Sequence, residues 1–340
     1  MKISGKILNV KDGDAIIIHA QKNEDNLLIV IDGGKSAYQT KVLEEVEAYC
    51  TELDKDGPDL LICTHYDIDH VEGLIALVKQ YKGKVKHVWM HRPQGIMLEA
   101  MMNVEGVLEH IANNAKVLRV DESVIHMNYL MADDLNKYRK VLEGIKKYKE
   151  LLTLIDQYRI PLTQPFAGQC SFPGWEEIKV IGPTEDYYDE TFPEGENMIG
   201  LLQEEYVELL LESVEKKKVL TENPCDQLKT TSNITKTNKV SVITRFDCED
   251  GKYLFTGDAG IESMEASSGY PESITSMKFL KVPHHGSNNN LSKALVDLIN
   301  PEIAYSSGNN HEDPEVIGCL RRDTNRIVKT TKEDGDLPFG

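Results

Sequence analysis

Four short apolar, partly β-branched runs each end directly in a cluster of His, Asp or Gly, and this feature limits the fold more than any other in the chain. Leu27–Ile31 runs into Asp32-Gly33-Gly34, and Leu60–Thr64 runs into His65. Tyr253–Thr256 runs into Gly257-Asp258-Ala259-Gly260, and Phe279–Pro283 into His284-His285-Gly286-Ser287. Continuous apolar runs of this length read as strands buried on both faces, and layered α/β folds place their chemistry at the ends of such strands. Lys86–Met90, ending at His91-Arg92-Pro93, and Ile303–Gly308, leading to Asn309-Asn310-His311, are weaker versions of the pattern. Near the start, Gly5–Val10 and Ala15–Ile18 flank Lys11-Asp12-Gly13-Asp14, so the chain is expected to open with a β-meander turning at Asp-Gly.

The second ending carries the strongest chemical signal. In His65-Tyr66-Asp67-Ile68-Asp69-His70, four metal-donor side chains fall within six residues directly after a buried strand. A divalent metal takes several N or O donors at about 2.0–2.2 Å, and two metals sharing one water need roughly six donors and a bridge. No helix or strand period points all four donors one way, so a loop must gather them. The plain alternative is a solvated turn in which Asp69 caps the next helix.

Length and charge set the frame. At 340 residues, one elaborated domain is expected. The 56 acidic against 38 basic residues give a formal charge of -18, which argues against a broad duplex-binding face, although a local groove or a metal could still meet a phosphate. Cys50, Cys63, Cys170, Cys225, Cys248 and Cys319 form no C-x-x-C pair, so reduced thiols and a cytoplasmic location are expected. The start, Met1-Lys2-Ile3-Ser4-Gly5-Lys6, has no apolar signal core, and no stretch reaches the ~20 apolar residues of a membrane span. The chain is expected to be soluble, unprocessed and without a membrane partner.

Between the second and third endings, residues 95–235 are expected to form a helical and irregular insertion. Asp133-Asp134 begins a stretch in which Leu135, Tyr138, Leu142, Ile145, Tyr148, Leu152 and Ile155 step by three or four before Pro161. A second helix is expected from about Ile199 to Val214, ending in Lys216-Lys217-Lys218. Proline and glycine between the two point to irregular chain, and the whole insertion offers a surface for a protein partner.

The cluster resembles the His-x-His-x-Asp-His signature of the metallo-β-lactamase superfamily, with Asp67 where that family has its second His. The likeness continues in order. Val10–Ala15 resembles the "VGQGDA" opening of the competence-protein ComEC type of these domains, and Ile31–Gly34 its "IDGG". Phe255–Asp258 resembles its "LTGD", Lys281–Ser287 its "KVPHHGS", and Asn309-Asn310-His311 with Pro314 its "N-x-x-HP". The resemblance implies a single αββα four-layer sandwich over 1–340 with a metal site at one edge. It further implies that His65 and Asp67 serve one metal, Asp69 and His70 the second, that Asp258 bridges them and that His284 completes the second. Asp32 would hold the ligand loop without being a ligand.

Asp67 replaces an imidazole with a harder, negative donor, which turns preference from Zn²⁺ toward Mn²⁺, with Fe and Mg²⁺ also open. The family's third-motif His has no clear counterpart; His91 is the candidate. His284 and His285 are not separable by sequence; His284 is favoured as ligand and His285 for substrate or supporting contact. His311 would protonate a leaving group or stabilise charge, or else cap Glu312-Asp313. His19, His87, His110 and His126 read as packing or surface residues, and Ser287 and Thr256 as hydrogen-bonding ones. The expected activity is metal-dependent hydrolysis by activated water at two divalent ions, with Asp69, His285 and His311 as catalytic residues. The substrate is expected to be a phosphodiester in nucleic acid or a nucleotide ester. A lactone, thioester or amide hydrolase, and a partner-binding module in a larger assembly, are the alternatives.

Overall fold

The apolar runs that end in polar clusters all form strands, and their pairing brings those clusters to one edge. The computed structural model describes residues 1–93, 143–193 and 223–340. Its first sheet is built from β1 (Lys2–Ile7), β2 (Ile16–Lys22), β3 (Asp25–Ile31), β4 (Leu60–Ile62), β5 (His87–Trp89) and β6 (Leu162–Thr163), with β13 (Leu337–Phe339) beside β1. The second contains β7 (Ile178–Gly182), β8 (Ile243–Cys248), β9 (Gly251–Phe255), β10 (Phe279–Lys281), β11 (Ile303–Ser306) and β12 (Ile327–Thr330). In the first sheet β3, β4 and β5 run parallel, with Ile31 opposite Ile62 and Ile62 opposite Trp89, so Asp32, His65 and His91 leave the same edge. In the second, β9, β10 and β11 run parallel with Phe255, Lys281 and Tyr305 in register, so Asp258, His284 and Ser307 leave one edge too. The expected opening meander is present as the antiparallel β1-β2-β3.

Alternation along these strands explains why they are apolar throughout. Ile29, Ile31, Leu60, Ile62 and Trp89 of the first sheet meet Phe246, Phe255, Phe279 and Tyr305 of the second in an inter-sheet core. The residues between them face the other way. Leu28, Val30, Leu61 and Val88 pack beneath α1 (Gln39–Glu52), α2 (Ile68–Tyr81) and α3, a helix over 143–158. Leu254, Leu280 and Ala304 pack beneath α4 (Ile261–Glu265), α5 (Lys293–Ile299) and α6 (Pro314–Leu320). The result is helix, sheet, sheet, helix, the four-layer order expected from the sequence.

One contact fixes the tilt of α2 against the first sheet. Gly33 N–H donates to the His70 carbonyl (2.8 Å), and Gly73 N–H donates to the Gly34 carbonyl (3.0 Å). A Cβ on Gly73 would lie 1.8 Å from the Gly33 carbonyl oxygen, so only two glycines permit the approach that presents His70 to the edge.

Two expectations are amended, and a third is met as far as the described residues reach. The stretch 95–235 is not wholly an insertion of helix and irregular chain, because β6 and β7 lie within it and extend one sheet each. The expected helix from 134 is described over 143–158, where Ile145, Tyr148 and Ile155 are buried against the first sheet, and its earlier part and the helix expected over 199–214 lie outside the described residues. Cys225 and Cys319 form a disulfide across 94 residues of sequence, whereas Cys50, Cys63, Cys170 and Cys248 are free thiols. A pair so far apart leaves no local spacing signal. Among the described residues, no helix is long and apolar enough to cross a membrane.

Gly73→Ala should destabilise the protein by about 1–3 kcal/mol or more through overpacking against Gly33, as read by denaturant unfolding. Gly83→Ala, with nothing within 4 Å of the added Cβ, should leave the midpoint nearly unchanged.

Candidate metal centre

The first group of site residues follows β4. Asp67 is the N-cap of α2, but its side chain makes no capping hydrogen bond, so its carboxylate remains available to other partners. Asp69 and His70 occupy the first turn of the helix. Asp32, after β3 and in a left-handed conformation (φ 57°), anchors this group. Its Oδ1 accepts Thr64 N–H (2.9 Å), and its Oδ2 accepts both the Thr64 hydroxyl (2.6 Å) and His70 Nδ1–H (2.8 Å). Since the Thr64 hydroxyl donates to Asp32, it accepts from His65 Nδ1 at 2.9 Å. Asp32 therefore orients His65 and His70 together without being a terminal donor.

The second group follows β9 and β10. His284 (φ 45°) and His285 (φ 56°) are both left-handed, as is Gly286 (φ 88°). Such conformations in bulky residues are sparsely populated and concentrate at functional sites. Two in succession turn neighbouring imidazoles to the same side, with ring centroids 5.8 Å apart. Asn290, fully buried, links the two loops. Its Nδ2 donates to the carbonyls of Asp258 (2.8 Å) and Ala259 (3.1 Å), and its Oδ1 accepts His284 Nδ1–H (2.9 Å). His285 Nδ1–H donates to the Ser307 carbonyl at 3.1 Å.

All four imidazoles are thus held through Nδ1, leaving Nε2 with its lone pair facing inward. His65 Nε2, His70 Nε2, His285 Nε2 and Asp258 Oδ1 are buried with no hydrogen-bond partner. Unsatisfied buried polar atoms are uncommon, and four in one place need a cause. Asp258 Oδ2 lies 3.7 Å from His65 Nε2, 3.4 Å from His70 Nε2, and 3.7 Å from both His284 Nε2 and His285 Nε2. These distances are too long for hydrogen bonds, yet two donors about 2.1 Å from one tetrahedral ion stand about 3.4 Å apart. The donors therefore fit divalent metal.

Four overlapping groups of three donors meet here; the two without Asp14 are His65, His70 and Asp258, and Asp69, His70 and His285, with all ligand atoms of each group within 4.8 Å of one another. Asp67 Oδ2 lies 3.6 Å from His65 Nε2, and Asp69 Oδ2 lies 3.8 Å from His285 Nε2. The imidazole grouped with Asp69 and His70 is thus His285 rather than His284, which approaches Asp258 from the side of His311. His91 is not in either group. It is buried between Phe166 and Tyr188, with ring centroids 4.8 and 4.7 Å away, and both its ring nitrogens lack partners.

His311, partly exposed, stacks beside His284 with centroids 5.9 Å apart and planes at 20°. Its loop is held from the opposite end of the chain. Asp12 Oδ1 accepts the backbone N–H of Asn309 (2.8 Å), Asn310 (2.6 Å) and His311 (3.4 Å), and Oδ2 accepts Asn310 Nδ2 (2.7 Å). In the sequence, Asp12 and Asp14 read as no more than a turn, and Asn290 carries no signal of a role. The signal for Asp12 and Asp14 lay in the ordered resemblance of their turn; Asn290 follows His-His-Gly-Ser in an unusual run of asparagines. Ser287 and Thr256 hydrogen-bond the backbone, the latter donating to the Lys281 carbonyl at 3.0 Å.

Charge at the centre follows from burial and proximity. Burial alone would raise Asp258, but the histidines around it, His70 foremost, hold it well below the usual carboxylate range. Burial raises Asp69. For His70, burial favours the neutral ring but is outweighed by Asp258 and Asp32, so its pKa lies well above the ordinary value. Burial pushes His285 down to about 3.

Residues 10–128 match the family model of the metallo-beta-lactamase superfamily. That range holds the Asp32 turn and the His65–His70 loop, and the two-sheet architecture with outer helices agrees with the metallo-β-lactamase fold. Two solved structures are also similar to the chain. A candidate metallo-beta-lactamase from Thermotoga maritima is 12% identical, with 72% of this chain and 68% of that one covered and a TM-score of 0.29. A diphosphatase of the PhnP family is 10% identical over 99% of this chain and 98% of its own, with a TM-score of 0.41. At these scores neither likeness bears on the fold or the chemistry. A search of curated proteins returned no match.

Because Asp258 and Asp32 raise the pKa of His70, a divalent cation competes with a proton for its ring, so affinity should rise with pH. Titration calorimetry with Mn²⁺ in buffers of different ionisation enthalpy should show proton release below neutrality; a heat that is the same in every buffer would contradict this.

Proposed function

We propose that the chain is a metal-dependent hydrolase of the metallo-β-lactamase superfamily acting on phosphodiesters, with two divalent ions held around Asp258. The observation that carries this reading is the ring of partnerless imidazole nitrogens, each braced through Nδ1, around Asp258 Oδ2. His65, Asp67 and His284 would hold one ion, Asp69, His70 and His285 the other, and Asp258 both. Bound there, the ions would lower the pKa of a shared water and neutralise charge developing on phosphoryl oxygens. Asp67 as a carboxylate favours Mn²⁺ over Zn²⁺ in the first position.

The protein's own groups complete the chemistry. His311 stands beside His284 at the partly exposed side of the centre, where it would give a proton to the departing alkoxide. Asp12, by fixing the backbone of residues 309–311, keeps that imidazole at a set distance. Lys35 Nζ, 3.8 Å from Asp69 Oδ2 and partly exposed, adds positive charge beside the centre, which favours an anionic substrate. The order of motifs, with their resemblance to nuclease-like domains, supports phosphodiesters over carbonyl esters. The net charge of -18 favours short or single-stranded nucleic acid, or a nucleotide ester, over long duplex.

The test is a substrate panel with Mn²⁺-loaded protein: a generic aryl phosphodiester, a short oligonucleotide, a lactone, a thioester and an amide. Phosphodiester turnover should dominate, Asp258→Ala should reduce it at least about 100-fold, and His311→Ala should lower kcat by about 10²–10⁴ with little change in KM. Turnover of carbonyl esters alone, or equal rates for wild type and Asp258→Ala, would overturn the proposal.

A further inference from the structure

A buried ion pair lies directly behind this centre, and packing alone does not account for it. Lys281, the last residue of β10, is fully buried and faces the inter-sheet core on the same side as Phe279, and its ammonium meets Asp14 Oδ2. Asp14 is itself 1% exposed and arrives from the turn between β1 and β2 of the other sheet. Stripping two charges of water costs more than an apolar pair of similar volume would, so stability does not explain the choice.

The second oxygen of Asp14 shows where the pair acts. Oδ1 accepts the Ser307 hydroxyl and lies 3.6 Å from His285 Nδ1. Ser307 in turn receives His285 Nδ1–H on its carbonyl, with its hydroxyl 3.3 Å from the same nitrogen. Asp14 also lies within 4.8 Å of the donor atoms of Asp258 and His285, but both its oxygens are engaged, one by Lys281 and one by Ser307. It is therefore spent on bracing and not on coordination. His285 needs such bracing because its left-handed backbone would relax if the side chain were released.

Resting on the metal-centre reading above, we propose that Lys281 and Asp14 are positioning residues that act through Ser307 to hold His285 Nε2 on the second metal. Lys281 fixes the carboxylate, the carboxylate fixes Ser307, and Ser307 fixes the ring. Three elements from opposite ends of the chain thus meet behind one ligand.

The experiment is Mn²⁺ titration with counting of bound ions, together with melting of metal-free protein. It compares wild type, Asp14→Asn, Lys281→Met, the double variant and Ser307→Ala. Each single change in the pair should lower the melting temperature, since it leaves one charge buried alone. The double variant should recover the melting temperature while still binding the second Mn²⁺ about 10–100-fold more weakly, the usual cost of losing a supporting partner of a ligand. Ser307→Ala, which leaves the pair intact and guards against a misfolded double variant, should weaken the same step by a smaller factor. Wild-type affinity for both ions in the double variant and in Ser307→Ala would show the pair to be structural and overturn this inference alone. Absence of Mn²⁺ binding by wild type would overturn the metal-centre reading and this inference with it.

Discussion

The candidate metal centre depends on which way four imidazoles point, and that is set by what accepts the hydrogen on Nδ1 of each ring. Thr64, Asp32, Asn290 and Ser307 take the Nδ1 hydrogens of His65, His70, His284 and His285, and each acceptor is itself held by a further buried hydrogen bond or ion pair. A ligand oriented in this way is both fixed in tautomer and made more basic. Without a cation the arrangement is costly, because it leaves polar atoms buried without partners around a carboxylate. The strands make it feasible. Two parallel sets end in register at one edge, so loops from distant parts of the chain need only short reaches to meet.

Electrostatics and backbone strain follow from the same demand. Asp14, Asp32, Asp67, Asp69 and Asp258 crowd one region, and Lys281 is the cation built into the protein to offset part of that charge. The left-handed pair His284-His285 and the Gly33–Gly73 contact are both unfavourable choices locally, accepted because they direct rings at Asp258. The same strategy reaches outward to Asp12, whose carboxylate takes the place of a bound anion in organising the His311 loop.

Much of this was legible in the sequence, for identifiable reasons. A strand buried on both faces is apolar along its whole length, so the runs before Asp32, His65, Asp258 and His284 revealed both strand and layer. The donor cluster His65–His70 is local, and so readable. What escaped was non-local or conformational. The Cys225–Cys319 disulfide joins residues 94 apart with no motif. The Asp14–Lys281 pair joins two sheets, and nothing in either neighbourhood names the other. The grouping of His285, rather than His284, with Asp69 and His70 turns on two positive φ angles in residues that rarely adopt them, which no hydrophobic pattern encodes. His91 ends a strand at the right edge, but its ring turns into an aromatic pocket with Phe166 and Tyr188, a choice made by residues far along the chain.

The most direct measurement of the central claim is anomalous X-ray diffraction from crystals of the Mn²⁺-loaded protein, collected on either side of the manganese edge. Two peaks should flank Asp258 at about 2.0–2.2 Å from their ligands, one beside His65 and Asp67 and the other beside Asp69, His70 and His285. A peak lying away from Asp258, or none at full Mn²⁺ loading, would contradict the account.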